Sequence, residues 1–230
     1  VLIMATLAKK ILQRATDILS DSGSKAWTVD EIVRWFNDAR RELAIHRPDA
    51  FATTAAVALA PGARQTLPAT AIKLINIPNN TGGAKTAIRQ TERRELDELL
   101  PSWRSGTAST TIKHFIHDPR NPLEFEVYPP AAAGASVDAV FAAYPTDIAE
   151  PGAGKTFADV TGDIGVPDIY GSVLVDFILY RAYLKDSDFA GHIARASAHY
   201  GAFANALGIE VKASLTVAPA AKNPGGASSP

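Results

Sequence analysis

PDIYGSVLVDFILYRAYLKDSDFAGHIARASAHYGAFANALG, residues 167–208, decides how this chain folds. It reads as two helices back to back. Pro167 suits a first helical position, where a missing N–H costs nothing. Val173, Phe177 and Leu184 then recur on one face, with Leu174, Ile178 and Arg181 beside them. Ser187 or Asp188 can cap a second helix, whose inward stripe reads Phe189, Ile193, Ala196, Tyr200, Phe203 and Leu207 and whose stop is Gly208. The chain begins the same way. Leu7, Ile11, Ala15 and Ile18 form a helical stripe with Leu12 and Leu19 alongside, and SGS breaks it. In TVDE, Thr28 and Glu31 make a capping box, each side chain satisfying a backbone N–H of the first turn. The helix it opens carries Val29, Ile32, Val33, Phe36 and Leu43 inward, and Pro48 stops it.

Between the two hairpins the pattern changes. Alternating apolar residues predict strands at Ala55–Leu59, Arg64–Leu67, Lys73–Pro78, Thr110–His117, Leu123–Tyr128 and Ser136–Tyr144, with turn signals PG, NNTGG, DPRNP and AAAGA between them. One polar helix, about Glu92–Leu99, interrupts the strands and ends at Pro101. The expected fold is therefore α+β: a four-helix bundle made of two helical hairpins at the chain ends, an inserted antiparallel β-domain and an extended C-terminal tail. By residue, 5–50 with 165–208 make the bundle, 51–164 the β-rich insert, and 209–230 the arm. The arm has no period and ends in Pro, Gly and Ser, which predicts disorder in isolation. Its SLTV, Ser214, Leu215, Thr216 and Val217, is expected to extend against a partner.

Composition narrows the function. At 230 residues, 47% hydrophobic and 20% charged with net charge −1, the chain is globular and lacks the basic excess of a protein that grips nucleic acid by phosphate neutralisation. Zero cysteines remove disulfides, thiolate catalysis and Cys-based zinc sites. No apolar run approaches membrane-spanning length, and no basic lead-in marks a signal peptide. Met4 is the only methionine, and Val1–Ile3 precede it.

The sharpest lure is AEPGAGKT, Ala149–Thr156, which fits the relaxed phosphate-loop pattern; VLVD at 173–176 mimics its companion motif. A phosphate loop must run from a buried strand straight into a helix. Here Gly162, Gly165 and Pro167 follow and leave no room for one, and VLVD lies inside a helical pattern. His114 and His117, three apart on a strand, face opposite ways and have no evident third ligand. His192 and His199 lie two turns apart, about 10 Å along a helix axis, too far for one ion, and read as a polar helix face. RQTERRELDELL pairs Arg93 with Asp97 and Arg94 with Glu98 at i,i+4, as either a solvated face or a contact between subunits. No GxSxG or HExxH pattern is present, and no cofactor is expected.

The order of these pieces resembles a known family. VRWFNDARRELAIHRPDA is similar to its second helix. In LAPGARQTLPATAIKLINIPNN, Leu59, Gly62, Gln65, Leu67 and Pro68 match its L-x-x-G-x-x-Q-x-LP hairpin. HDPRNPLEFEVYPP matches at Asp118, Pro122, Phe125, Tyr128 and Pro129, and LVDFILYRAYLKD with AxxHYGAFANALG completes the set. The family is that of the head-to-tail adaptors of short-tailed phages, the tubular tail protein A type. The resemblance covers about residues 5–208 and implies a structural, non-enzymatic virion protein of the neck, made in the host cytoplasm. It implies a ring of about a dozen copies between portal and tail nozzle, with genomic DNA passing through the lumen unbound by sequence. It brings no catalytic residues. Ser214–Val217 are then the candidate portal-contact arm, and Arg93, Arg94, Asp97 and Glu98 the candidate inter-subunit contacts. The alternatives are a small P-loop-like nucleotide-binding protein built on AEPGAGKT, or another virion tail-completion protein.

Overall fold

The computed structural model describes residues 6–21, 23–82, 84–186 and 191–217, with side chains as far as residue 208. Val1–Ile3, the capping candidates Ser187 and Asp188, the stripe residue Phe189 and the end of the arm from residue 218 lie outside the described residues. In chain order the elements are α1 (Ala8–Leu19), α2 (Val29–His46), β1 (Ala52–Ala58), β2 (Gly62–Thr66), β3 (Ala71–Asn80), β4 (Arg89–Gln90), α3 (Arg93–Leu99), β5 (His114–His117), β6 (Glu124–Ala131), β7 (Ser136–Ala143), α4 (Gly171–Lys185) and α5 (His192–Val217). The fold is thus α+β, with helices flanking the β-region in the sequence. Two units divide it. One comprises residues up to Ala39, Ala149–Ile164 and those from Asp168 on; the other comprises Arg40–Ile148 and Gly165–Pro167.

In the first unit α4 packs on α1 and on α5. α4 is buried nearly all round, from Val173, Leu174 and Val175 to Phe177, Ile178 and Leu179, as befits a central helix. The capping box opens α2 as expected: Thr28 N–H donates to Glu31 at 3.0 Å, and Glu31 N–H to the Thr28 hydroxyl at 3.3 Å. Val29, Ile32, Val33 and Phe36 are buried behind it. Lys185 at the end of α4 reaches Glu31, and Arg181 pairs with Asp38 at 3.6 Å. Asp21 builds the turn between α1 and α2, accepting backbone N–H groups from Lys25, Ala26 and Trp27 at 2.9–3.1 Å.

Several helical stripes are corrected. α1 buries Ala8, Ile11, Leu12, Ala15 and Thr16, not Leu7 and Ile18. Leu7 precedes the helix in extended conformation and pairs with Asp163 as an isolated β-bridge, and Thr16 can turn inward because its hydroxyl donates to Leu12 O at 2.9 Å. Leu184 is exposed, since the last turn of α4 directs Tyr183 inward instead. On α5, Ala196, Phe203 and Leu207 are buried, but Ile193 and Tyr200 are 56% and 45% exposed. A helix packed on one neighbour buries only a narrow seam.

α5 also corrects the tail. It does not stop at Gly208, nor are Ser214–Val217 extended: the helix runs to Val217. Gly208 is not among the residues with positive φ and so does not form the left-handed cap that would end a helix. No proline follows until Pro219, two residues past the observed end.

The second unit contains two sheets, ordered β1-β7-β3 and β2-β6-β5-β4. The six expected strands are all present, with Thr110–His117 shortened to β5. The fully antiparallel expectation is corrected by β4, which runs parallel to β5. Strands joined by a helical crossover, here α3, pair in parallel. Val57, Ile77, Val137 and Phe141 of the first sheet pack with Phe115, Phe125 and Val127 of the second in one apolar cluster. Strand alternation turns Ile116 and Tyr128 to the opposite face, where they meet Ala63, Leu96 of α3 and Trp103.

Two buried amides tie the loops. Gln65, 3% exposed, donates to Ala60 O and Gly62 O and accepts from Ala60 N–H, each at 2.8 Å. Gly62 has φ +117°, so the L-x-x-G-x-x-Q-x-LP pattern has a physical basis: a turn only glycine adopts readily, clamped by a glutamine between two buried leucines. Asn80 exchanges two bonds with the Ile112 backbone, at 2.8 and 2.9 Å, and donates to Thr86 O at 3.0 Å. It takes the place of a strand neighbour across a long insertion.

Candidate interaction surfaces

α3 and the short turn after it carry a connected polar network in the second unit. Leu96 is buried beneath α3, and Trp103 is 2% exposed with its edge toward Tyr128 at 6.4 Å. Glu126, aimed from β6 to the same face, pairs with Arg93 at 2.8 Å and Arg104 at 3.0 Å. Asp97 accepts from the Trp103 indole at 2.8 Å and from Arg104 at 3.1 Å. The indole bond, joined by Arg104, holds the Asp97 carboxyl below its usual value. The Arg104 guanidinium also lies 4.3 Å from the Trp103 ring centroid.

The two expected pairs therefore fare differently. Arg94–Glu98 is present at 2.7 Å, with both side chains mostly in solvent. Arg93 and Asp97 do not pair; each is drawn to a tertiary partner, Glu126 and Arg104. A helix-surface rule sees only local neighbours, and a carboxylate with one face covered by a sheet attracts a guanidinium more strongly than one in water. Beside Arg94 and Glu98, Leu99 is 77% exposed and Leu100 44%. Nothing in the sequence pattern marked the Glu126–Arg104 link, which joins residues far apart in the chain.

The second surface is α5. Between His192 and Gly208 its one charged residue is Arg195, and most of the rest are Ala, Gly and aromatic. Phe203 lies 5.1 Å from Phe177, anchoring the seam with α4. His192 and His199, expected to form a polar helix face, each have a carboxylate partner outside α5. His199 is 2.9 Å from Asp176 of α4 and stacks on Tyr183 at 5.8 Å, while His192 is 3.1 Å from Asp186. The wider candidate arm, Ser214–Val217, is the last turn of this helix.

The remaining motifs carry no chemistry. AEPGAGKT is an irregular loop. Gly152 N–H donates to Asp30 at 3.0 Å, so a carboxylate holds an amide that a phosphate would need. Thr156 caps a single 3-10 turn, Phe157–Asp159, in a capping box with Asp159, and Lys155 lies 3.8 Å from the same aspartate. VLVD lies within α4. Among the described residues no group of His, Asp and Glu is arranged to hold a metal, and no helix is long and apolar enough to cross a membrane.

A helical unit and a two-sheet unit with a charged helix on its face present two broad exposed surfaces, on α3 and on α5, of the kind a structural assembly protein uses. The chain belongs to the SU10 adaptor protein family, whose model matches residues 6–224. It is a phage head-to-tail adaptor, a non-catalytic component of the virion neck whose partners are portal and tail components. Nothing supports the nucleotide-binding alternative. No curated protein matches the chain.

Proposed function

We propose that this adaptor works as a closed ring of about twelve copies between portal and tail nozzle, with the genome passing through its lumen. The observation that carries the reading is α5: a long helix packed along one seam, whose exposed side holds Ile193 and Tyr200 and almost no charge. Exposed apolar surface of this kind marks contact with another protein. In this reading α1, α2, α4 and α5 act as one four-helix bundle that stacks copy on copy, residues 51–164 serve as an insert, and the segment from 209 on is an arm toward the portal. Ser214, Leu215, Thr216 and Val217 carry that contact as a helical turn. Arg94 and Glu98, with Leu99 beside them, supply a second inter-subunit contact, while Arg93 and Asp97 hold α3 in place for it. A net charge of −1 suits a conduit wall, because each phosphate a protein neutralises adds affinity that would slow the DNA.

The double substitution Ile193→Glu, Tyr200→Glu tests the ring. Ile193 is mostly exposed and Tyr200 nearly half, so circular dichroism should match wild type and the melting temperature should fall by only a few degrees. Rings on portal-bearing heads, imaged by negative stain, should be lost. Full rings formed by the variant would remove α5 from the subunit interface.

A further inference from the structure

At the β4 edge of the second sheet a pocket of about 320 Å³ is lined by Thr86, Ala87, Arg89, Thr111, Ile112, Lys113 and His114. Its lining contains two cations and no carboxylate. Arg89 N–H donates to Lys113 O at 3.0 Å where β4 pairs with the start of β5, and this backbone link brings both residues to the lining of the pocket. Both side chains are exposed, and among the described residues neither has an ion-pair partner, although most other arginines of this unit do. Ile112, 1% exposed, closes the floor. The Thr86 hydroxyl accepts from Asn80 at 2.9 Å, which leaves its own proton to donate. His114 stacks on Tyr128 at 6.2 Å, and its Nδ1 is buried without a partner, so whatever the imidazole binds must be met by Nε2.

We propose that this pocket binds a phosphate group. A guanidinium, an ammonium, an imidazole N–H and two hydroxyls offer more donors than a planar carboxylate can accept, whereas a tetrahedral phosphate presents oxygens to all of them. Free phosphate and the backbone of duplex DNA share this chemistry. A DNA source rests on the proposed passage of the genome and makes this pocket one local contact on a wall that is otherwise near neutral; a free-phosphate source does not.

The full chain is titrated with inorganic phosphate, and separately with a short blunt duplex, at constant ionic strength, following the ring protons of His114 by NMR. Saturable shifts of His114 with phosphate are expected, and Arg89→Ala, Lys113→Ala should weaken them at least tenfold while leaving the melting temperature and the docking of rings onto heads unchanged. Competition by the duplex for the same shifts assigns the DNA backbone as the source; phosphate shifts without such competition assign the free ion. Absence of saturable shifts in wild type, or equal shifts in the double variant, overturns the site. Tighter binding of polyglutamate than of phosphate or duplex overturns it as well, by making the pocket a carboxylate receptor.

Discussion

Gln65 shows how much one side chain can hold. Itself buried, it closes the β1–β2 turn with three hydrogen bonds to a partly exposed backbone. Gln65→Ala should cost about 1–3 kcal/mol in urea unfolding, since the Ala60 N–H and the Ala60 and Gly62 carbonyls lose their partner together. A loss below about 0.5 kcal/mol would mean that water replaces the amide. Asp21 gives the corresponding statement about acid. Partial burial by itself would raise its carboxyl, but the N–H groups of Trp27, Lys25 and Ala26 outweigh this and hold it below the ordinary 3.8. A carboxylate depressed in the folded state contributes stability in full above its unfolded pKa, and that contribution fades as pH falls through the lower folded value. Wild type should therefore lose stability on acidification below about pH 4 more steeply than Asp21→Asn, which lacks this contribution at every pH. Parallel acid-unfolding curves for the two proteins would exclude the effect.

At the scale of the helix, Phe177 and Tyr200 separate what a stripe can and cannot tell. Phe177 is 7% exposed and touches the Phe203 ring; Phe177→Ala should cost about 3–5 kcal/mol, read from the urea midpoint. Tyr200→Ala should cost about 1 kcal/mol or less, because nearly half its surface is already in water. Both residues sit on apolar stripes of similar strength in the sequence. Periodicity reports which residues could face a neighbour, not how many neighbours a helix has, and α5 has a single seam where α4 is surrounded. The same limit explains α3. Its position and the Arg94–Glu98 pair were legible because they are local, whereas the ties of Arg93 to Glu126 and of Asp97 to Arg104 depend on tertiary pairing that no i,i+4 rule contains. Capping was the most legible feature of all, since Thr28 and Glu31 satisfy each other within one turn. The helical end of α5 was not, because a glycine near a polar, low-complexity tail reads as a stop unless its φ is known.

For the molecule as a whole, the portal contact is the claim most open to test. A chain ending at Gly208 retains Leu207, the last described residue of the α4–α5 seam, and should melt near the wild-type temperature with a modest drop in helix signal. It should fail to join portal-bearing heads in a sedimentation assay, since Ser214–Val217 are gone. Normal joining would move the contact elsewhere on the adaptor. The Asn80 clamp bears on the molecule differently. By gripping Thr86 on one side and both backbone groups of Ile112 on the other, it fixes where the sandwich resumes, whatever lies in between. Lengthening a closed loop costs free energy only logarithmically. The exposed positions of α3, Arg94, Glu98 and Leu99, are therefore the ones free to change, and an evolving phage could refit this outer surface to a changed neighbour while β4, Leu96 and Trp103 keep the scaffold beneath it.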